Sequence, residues 1–88
     1  ADALGLLTRV VPVDRLEAEV AEVAATLASK SPSVMRAGRD AFYAVWDASA
    51  AEALAVLHPM LSVTTTFEDA TEGITAFIEK REPRWTGR

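Results

Sequence analysis

The sequence predicts an all-α fold in which a short N-terminal extended segment is followed by about four amphipathic helices. Two observations support this prediction: apolar residues recur at three- and four-residue intervals, and a helix-start signal precedes most of these runs. A chain of 88 residues is one small domain or part of a larger one. Chains of this size bury only a little over ~60% of their surface, so their margin of stability is thin.

The first segment, "LGLLTRVVPV" (residues 4–13), is rich in apolar and β-branched residues and is interrupted by Pro12. This composition predicts an extended lead-in to the first helix. A single strand leaves its backbone groups without partners, so we expect further chain upstream to pair with it.

The first two helices carry different start signals. Asp14 and Glu17 have the spacing of a capping box, and the stripe behind them is Leu16, Val20, Val23 and Leu27. Ser31 is placed to cap the second helix, with Pro32 at its first position. The apolar stripe of this helix consists of Val34, Met35, Gly38, Ala41, Phe42, Val45 and Trp46.

The third helix opens on a second capping box, formed by Ser49 and Glu52. Pro59 lies inside its apolar pattern and predicts a kink or an early end, because it removes one backbone hydrogen bond. Three consecutive threonines then interrupt the helical period, since β-branched residues are poor helix formers.

The last helix is predicted to start near Thr66 or Phe67 and to run to about Arg81, with Pro83 ending it. Its predicted buried stripe consists of Ala70, Gly73, Ile74, Phe77 and Ile78. The apolar faces of the helices are broad, and 88 residues do not supply enough neighbours to cover them. We therefore expect contact with other subunits or domains.

Composition excludes several classes of partner. The net charge is −4 and the basic residues are scattered, which argues against nucleic-acid binding. The most apolar region, residues 41–63, is interrupted by polar residues and proline, so no membrane-spanning helix is expected. The sequence has no cysteine, which removes disulfides and thiolate metal ligands and fits a cytoplasmic location.

The residues themselves indicate no catalytic group, metal site or cofactor. His58 is the only histidine, and the four glycines are too isolated to build a phosphate-binding loop. Glu68, Asp69 and Glu72 cluster at the start of the last helix, where acidic side chains oppose the helix dipole. We interpret these carboxylates as structural.

The C-terminal stretch "FEDATEGITAFIEKREPRWTGR" (residues 67–88) resembles the C-terminal signature of the enoyl-CoA hydratase/isomerase (crotonase) superfamily. That signature reads Asp-x-x-Glu-Gly-x-x-Ala-Phe-x-Glu-Lys-Arg, followed by Pro, an aromatic residue and Gly. The upstream stretches "LGLLTRVVP" and "SPSVMRAGRDAF" are similar to a strand and a helix of the same family. The chain departs from the pattern at Phe67, which moves the expected cap to Thr66, and at Pro59.

The resemblance implies that residues 1–88 are the C-terminal helical segment of an acyl-CoA enzyme, which builds oligomer contacts and covers the active site. It implies that the catalytic spiral core is absent from this chain, and that the intact protein is a homo-oligomer, a trimer or hexamer. It also implies CoA contacts for Lys80 and Phe77, an ammonium meeting the 3′-phosphate and an aromatic ring packing on the purine. The residues alone also allow a simpler interpretation: Phe77 lies on the apolar stripe as a core residue, and Lys80 is solvated.

Two other interpretations remain open from the sequence. One is a free-standing helical protein-interaction module without catalysis, and the other is a non-catalytic acyl-CoA-binding domain.

Overall fold

A computed structural model describes residues 3–88 of the chain. These residues form four α-helices and one short 3-10 turn, and they contain no strand. The predicted all-α fold is therefore confirmed. The helices are α1 (Leu16–Ala28), α2 (Pro32–Ala44), α3 (Ala50–Thr64) and α4 (Glu68–Glu79).

The chain before α1 contains a turn at residues 3–5, where Gly5 has a φ of 73°, and then an irregular stretch to Pro12. The first residues of the chain lie outside the described range, and the extended segment stays a prediction. The capping box at Asp14 was wrong: Asp14 lies inside a 3-10 turn, Val13–Arg15, and no side chain caps α1. The turn is closed instead by the Arg15 amide donating to the Pro12 carbonyl at 2.9 Å.

The start signals of α2 and α3 are confirmed. The Ser31 hydroxyl accepts from the Val34 amide at 3.2 Å, and Pro32 is the first residue of α2. At α3 the Glu52 amide donates to the Ser49 hydroxyl at 3.3 Å, and the Ser49 amide donates to the Glu52 carboxylate at 3.0 Å. These two bonds are the reciprocal pair of a capping box.

Helix α3 continues through Pro59 to Thr64, so an early end at Pro59 was wrong, and a kink there stays a prediction. Proline removes a single amide, and the residue that loses its partner, Ala55, is exposed to water. The helix ends among the three threonines. Each hydroxyl bonds back at 2.7 Å to the carbonyl three residues earlier, which competes with the backbone ladder.

Helix α4 starts at Glu68 with Phe67 at the N-cap, and no side chain caps it. The shift of the cap to Thr66 was wrong, because the Thr66 hydroxyl donates back to Val63. The free amide of Asp69 is satisfied by the C-terminal end of the chain: it donates to the Arg88 carbonyl at 2.9 Å. The helix ends at Glu79, short of the predicted Arg81.

The helices leave most of their apolar surface uncovered. Helix α2 packs against α3 and α4, yet Ala76 is the only apolar side chain buried within residues 3–88. The radius of gyration is 16.8 Å, against about 12 Å for a compact domain of this length. The predicted burial of Ile74, Phe77 and Ile78 was wrong, because no described element covers that face of α4.

Candidate functional site

The candidate site lies where α4 ends and the tail, residues 80–88, begins. Lys80 adopts the left-handed helical conformation, with φ 53° and ψ 44°. Its amide donates to the Phe77 carbonyl at 3.3 Å, and the Arg81 amide donates to the Ala76 carbonyl at 3.0 Å. These two bonds form a Schellman motif, whose left-handed position is usually glycine. The chain places a lysine there.

An ion-pair cluster holds the residue that follows Lys80. The Arg81 guanidinium donates to both oxygens of Glu72, at 2.6 and 3.0 Å, and its Nε donates to Glu79 at 2.6 Å. The Arg84 amide donates to Glu72 at 2.7 Å. The hydrogen bonds from Arg81 and Arg84 lower the pKa of Glu72 to about 2, and Glu72 and Glu79 raise the pKa of Arg81.

The two predicted CoA-contacting side chains are both accessible. Phe77 is 85% exposed, one helical turn before Lys80. Lys80 is exposed, and it takes part in none of the ion pairs formed within residues 3–88. Among the residues that the structure describes, neither side chain has an ionic partner that would compete with a ligand, and their contact with CoA stays a prediction.

A buried carboxylate fastens the tail to two helices. Asp69 is 1% exposed and accepts from the Ser31 hydroxyl at 2.5 Å, the Ser33 hydroxyl at 3.0 Å and the Thr86 amide at 2.7 Å. The Gly87 amide adds a further bond at 3.1 Å. We call these five residues the Asp69 cluster. Sequence reasoning assigned Asp69 only to the helix dipole and missed its partners, which are distant in sequence.

Trp85 lies across the start of the tail and packs on α4. Its indole Nε1 donates to the Ser29 carbonyl, at the end of α1, at 2.8 Å. A Cβ built on Gly73 would lie 3.3 Å from the ring, so glycine lets the indole lie close against α4. The tail therefore contacts α4 and the end of α1 directly, and Asp69 connects it to the start of α2.

A second feature is an apolar groove of about 580 Å³ between α2 and α3. Its lining includes Val34, Gly38, Leu54 and Leu61, together with His58. Within residues 3–88 no group of histidine and acidic side chains could hold a metal ion. In the same range no helix has the length and apolar character needed to cross a bilayer.

Comparison with known proteins gives a family that agrees with this architecture. A family model described as enoyl-CoA hydratase/isomerase matches residues 1–88. The chain belongs to the enoyl-CoA hydratase/isomerase family. Its members differ in reaction, so membership alone does not distinguish hydration from isomerisation for this chain.

Individual members of the family match over 93% to 100% of this chain. A probable enoyl-CoA hydratase of Mycobacterium tuberculosis is 36% identical over 88 residues, which are 100% of this chain and 34% of that protein. The rat protein named enoyl-CoA hydratase domain-containing protein 3, mitochondrial, is 37% identical over 82 residues, 93% of this chain and 27% of that protein. The chain thus spans about a third or less of the length of these curated relatives.

Solved structures of the family superpose closely on the fold. The enoyl-CoA hydratase of Mycobacterium smegmatis matches with a TM-score of 0.92 at 29% identity, covering 97% of this chain and 33% of that one. An enoyl-CoA hydratase/isomerase of Mycobacterium paratuberculosis matches with a TM-score of 0.89 at 34% identity, covering 98% and 34%. The open helical arrangement therefore also occurs inside larger family members.

Proposed function

We propose that this chain is the C-terminal helical segment of an enzyme that hydrates or isomerises a 2-enoyl-CoA thioester. The observation that carries the proposal is the match of the whole chain to about a third of its relatives. The uncovered apolar faces support it, because a segment of a larger protein packs such faces against the rest of that protein. We place the protein in the cytoplasm on the absence of cysteine.

In this proposal the segment contributes binding, and the remaining chain contributes the chemistry. Stabilising a thioester enolate needs preorganised hydrogen-bond donors at the carbonyl oxygen, together with an acid–base group. Lys80 and Phe77 act far from that carbonyl, at the nucleotide end of CoA. The cation meets the 3′-phosphate, and the exposed ring packs against the purine.

Lys80→Ala in the full-length protein is expected to raise KM for a CoA thioester by about 2- to 5-fold and to leave kcat nearly unchanged. A contact made equally in the ground and transition states contributes to KM alone. The effect should shrink with added salt, because the pair is partly exposed. Steady-state kinetics on crotonyl-CoA measures both constants.

Two controls accompany this measurement. Lys30→Ala removes the other lysine of these 88 residues, in the α1–α2 connection, and should leave KM unchanged. A pantetheine thioester lacks the nucleotide and should not distinguish Lys80→Ala from the parent. An equal loss on both substrates would show that Lys80 is structural or merely solvated. Product analysis in the same reactions separates hydration from isomerisation.

We also propose that the protein is a homo-oligomer and that the isolated chain self-associates. Large apolar side chains on all four helices are more than one-third exposed, among them Leu27, Phe42, Leu54 and Phe77. Monomers seldom expose so much contiguous apolar surface. We expect sedimentation velocity of the 88-residue chain to show dimers or larger species at micromolar concentration.

Paired variants of α3 locate the association surface. Leu54→Glu adds a charge inside the groove and should weaken association, whereas Ala55→Glu adds the same charge at an exposed position outside it. A clean monomer at high micromolar concentration would contradict self-association. Equal effects of the two variants would place the contact elsewhere on the surface.

A further inference from the structure

The left-handed Lys80 is unusual for its residue type. Within residues 3–88 it is the only residue other than glycine with a positive φ. A side chain with a Cβ is disfavoured in this conformation, and glycine is the common choice at this position of a helix end. Such outliers persist where their surroundings hold them in place, and they concentrate at functional positions.

The surroundings that hold Lys80 are visible in the structure. On one side, Lys80 follows directly from α4. The Lys80 and Arg81 amides both donate to carbonyls of the last turn of α4, forming the Schellman motif. On the other side, Arg81 is fixed by the paired bonds to Glu72, at 2.6 and 3.0 Å, and the Arg84 amide binds the same carboxylate at 2.7 Å. Glu72 therefore anchors both the residue after Lys80 and the irregular segment that follows it.

We propose that Glu72 is a positioning residue for nucleotide binding: acting through Arg81, it holds Lys80 in the left-handed conformation that presents its ammonium to the 3′-phosphate of CoA. This inference rests on the proposed function, because it needs Lys80 to contact the nucleotide. It adds a role for a carboxylate that does not itself touch the ligand.

Positioning by Glu72 and simple electrostatic repulsion predict opposite changes in CoA affinity when Glu72 is neutralised. An experiment can therefore distinguish the two explanations. A carboxylate near a phosphate site repels the anion, so its neutralisation should strengthen binding. If Glu72 positions Lys80, its neutralisation should weaken binding, because the ammonium is no longer held in place. Glu82 offers a matched control, since it lies between Arg81 and Arg84 and takes part in none of the ion pairs within residues 3–88.

The test measures the dissociation constants of CoA and of 3′-dephospho-CoA for the full-length protein by titration calorimetry. Glu72→Gln is expected to weaken CoA binding by about 2- to 5-fold, matching Lys80→Ala, and to leave dephospho-CoA binding unchanged. The double variant should be no weaker than Lys80→Ala alone, because both changes remove the same contact. Glu82→Gln should leave CoA binding unchanged or strengthen it slightly.

Arg81→Lys keeps the charge but cannot make the paired bonds to Glu72, so it should weaken CoA binding as Glu72→Gln does. It provides the test if Glu72→Gln does not fold. The positioning role is overturned if Glu72→Gln binds CoA as tightly as the parent, or if its effect adds fully to that of Lys80→Ala. A Lys80→Ala protein that still prefers CoA to dephospho-CoA as strongly as the parent would overturn the proposed nucleotide contact, and this inference with it.

Discussion

Asp69→Ala is expected to lower the melting temperature of the 88-residue chain by ~10 °C or more, the largest effect we expect from a single side chain. The carboxylate is 1% exposed and accepts hydrogen bonds from the start of α2 and from the tail. Alanine would remove the acceptor shared by the buried Ser31 and Ser33 hydroxyls and by the part-buried Thr86 amide. Leaving a buried donor without an acceptor costs more free energy than the hydrogen bond itself contributes to stability.

Circular dichroism followed with temperature, at one fixed protein concentration, measures this loss. Glu68→Ala is the matched control, since it removes a neighbouring carboxylate that is exposed, pairs with Arg88 and accepts one long hydrogen bond, 3.3 Å, from the Thr86 hydroxyl. In a Trp46→Phe background, the fluorescence of Trp85 should report release of the tail in the Asp69 variant. An Asp69→Ala chain that melts within ~3 °C of the parent would contradict the structural role.

Acid should weaken the same part of the fold. Burial raises the pKa of Asp69, but hydrogen bonds from Ser31, Thr86 and Ser33 together outweigh it and hold that pKa well below its usual range. The pKa of Glu72 falls from 4.5 to about 2. Each carboxylate therefore adds stability above its unfolded-state pKa, and this stability is lost as pH falls through its folded-state pKa. The Asp69→Ala chain should lose less stability than the parent as pH falls below 3.8, the ordinary pKa of an aspartate, because it lacks the Asp69 contribution.

Local features of the fold could be predicted from the sequence. Ser31 and Ser49 cap the expected helices, because a cap depends on atoms within three residues. The Asp69 cluster was not predicted: Ser31 and Thr86 lie 38 and 17 residues from Asp69, and no local pattern marks them. The helix dipole is enough to explain a carboxylate in a first helical turn. The sequence therefore offered no reason to look for distant partners of Asp69.

Burial was predicted less well than helix position, and Phe77 shows why. Helical spacing identifies which side chains share a face, but it does not tell whether the element that covers the face belongs to the same chain. Here Ile74 and Phe77 are exposed, although the sequence placed them in a buried stripe. The CoA contact of Lys80 was predicted from family resemblance alone. Its left-handed conformation could not be predicted, because lysine seldom adopts it.

The isolated chain is expected to have no enoyl-CoA hydratase activity. The oxyanion donors and the acid–base group supply most of the barrier lowering in such chemistry, and the family resemblance places them in the core outside this chain. Loss of a single oxyanion donor reduces turnover by about 10²–10³-fold, so the absence of the whole set should leave nothing above background.

The proposal that this chain is a non-catalytic segment of an enoyl-CoA enzyme is tested by the hydration of crotonyl-CoA. The rate is measured side by side for the 88-residue chain and the full-length protein. Loss of the conjugated enoyl-thioester absorbance reports the reaction, and a boiled sample gives the background. We expect turnover by the full-length protein and a rate for the isolated chain equal to that of the boiled sample. Turnover by the isolated chain above that background, or a full-length protein that neither hydrates nor isomerises the thioester, would contradict it.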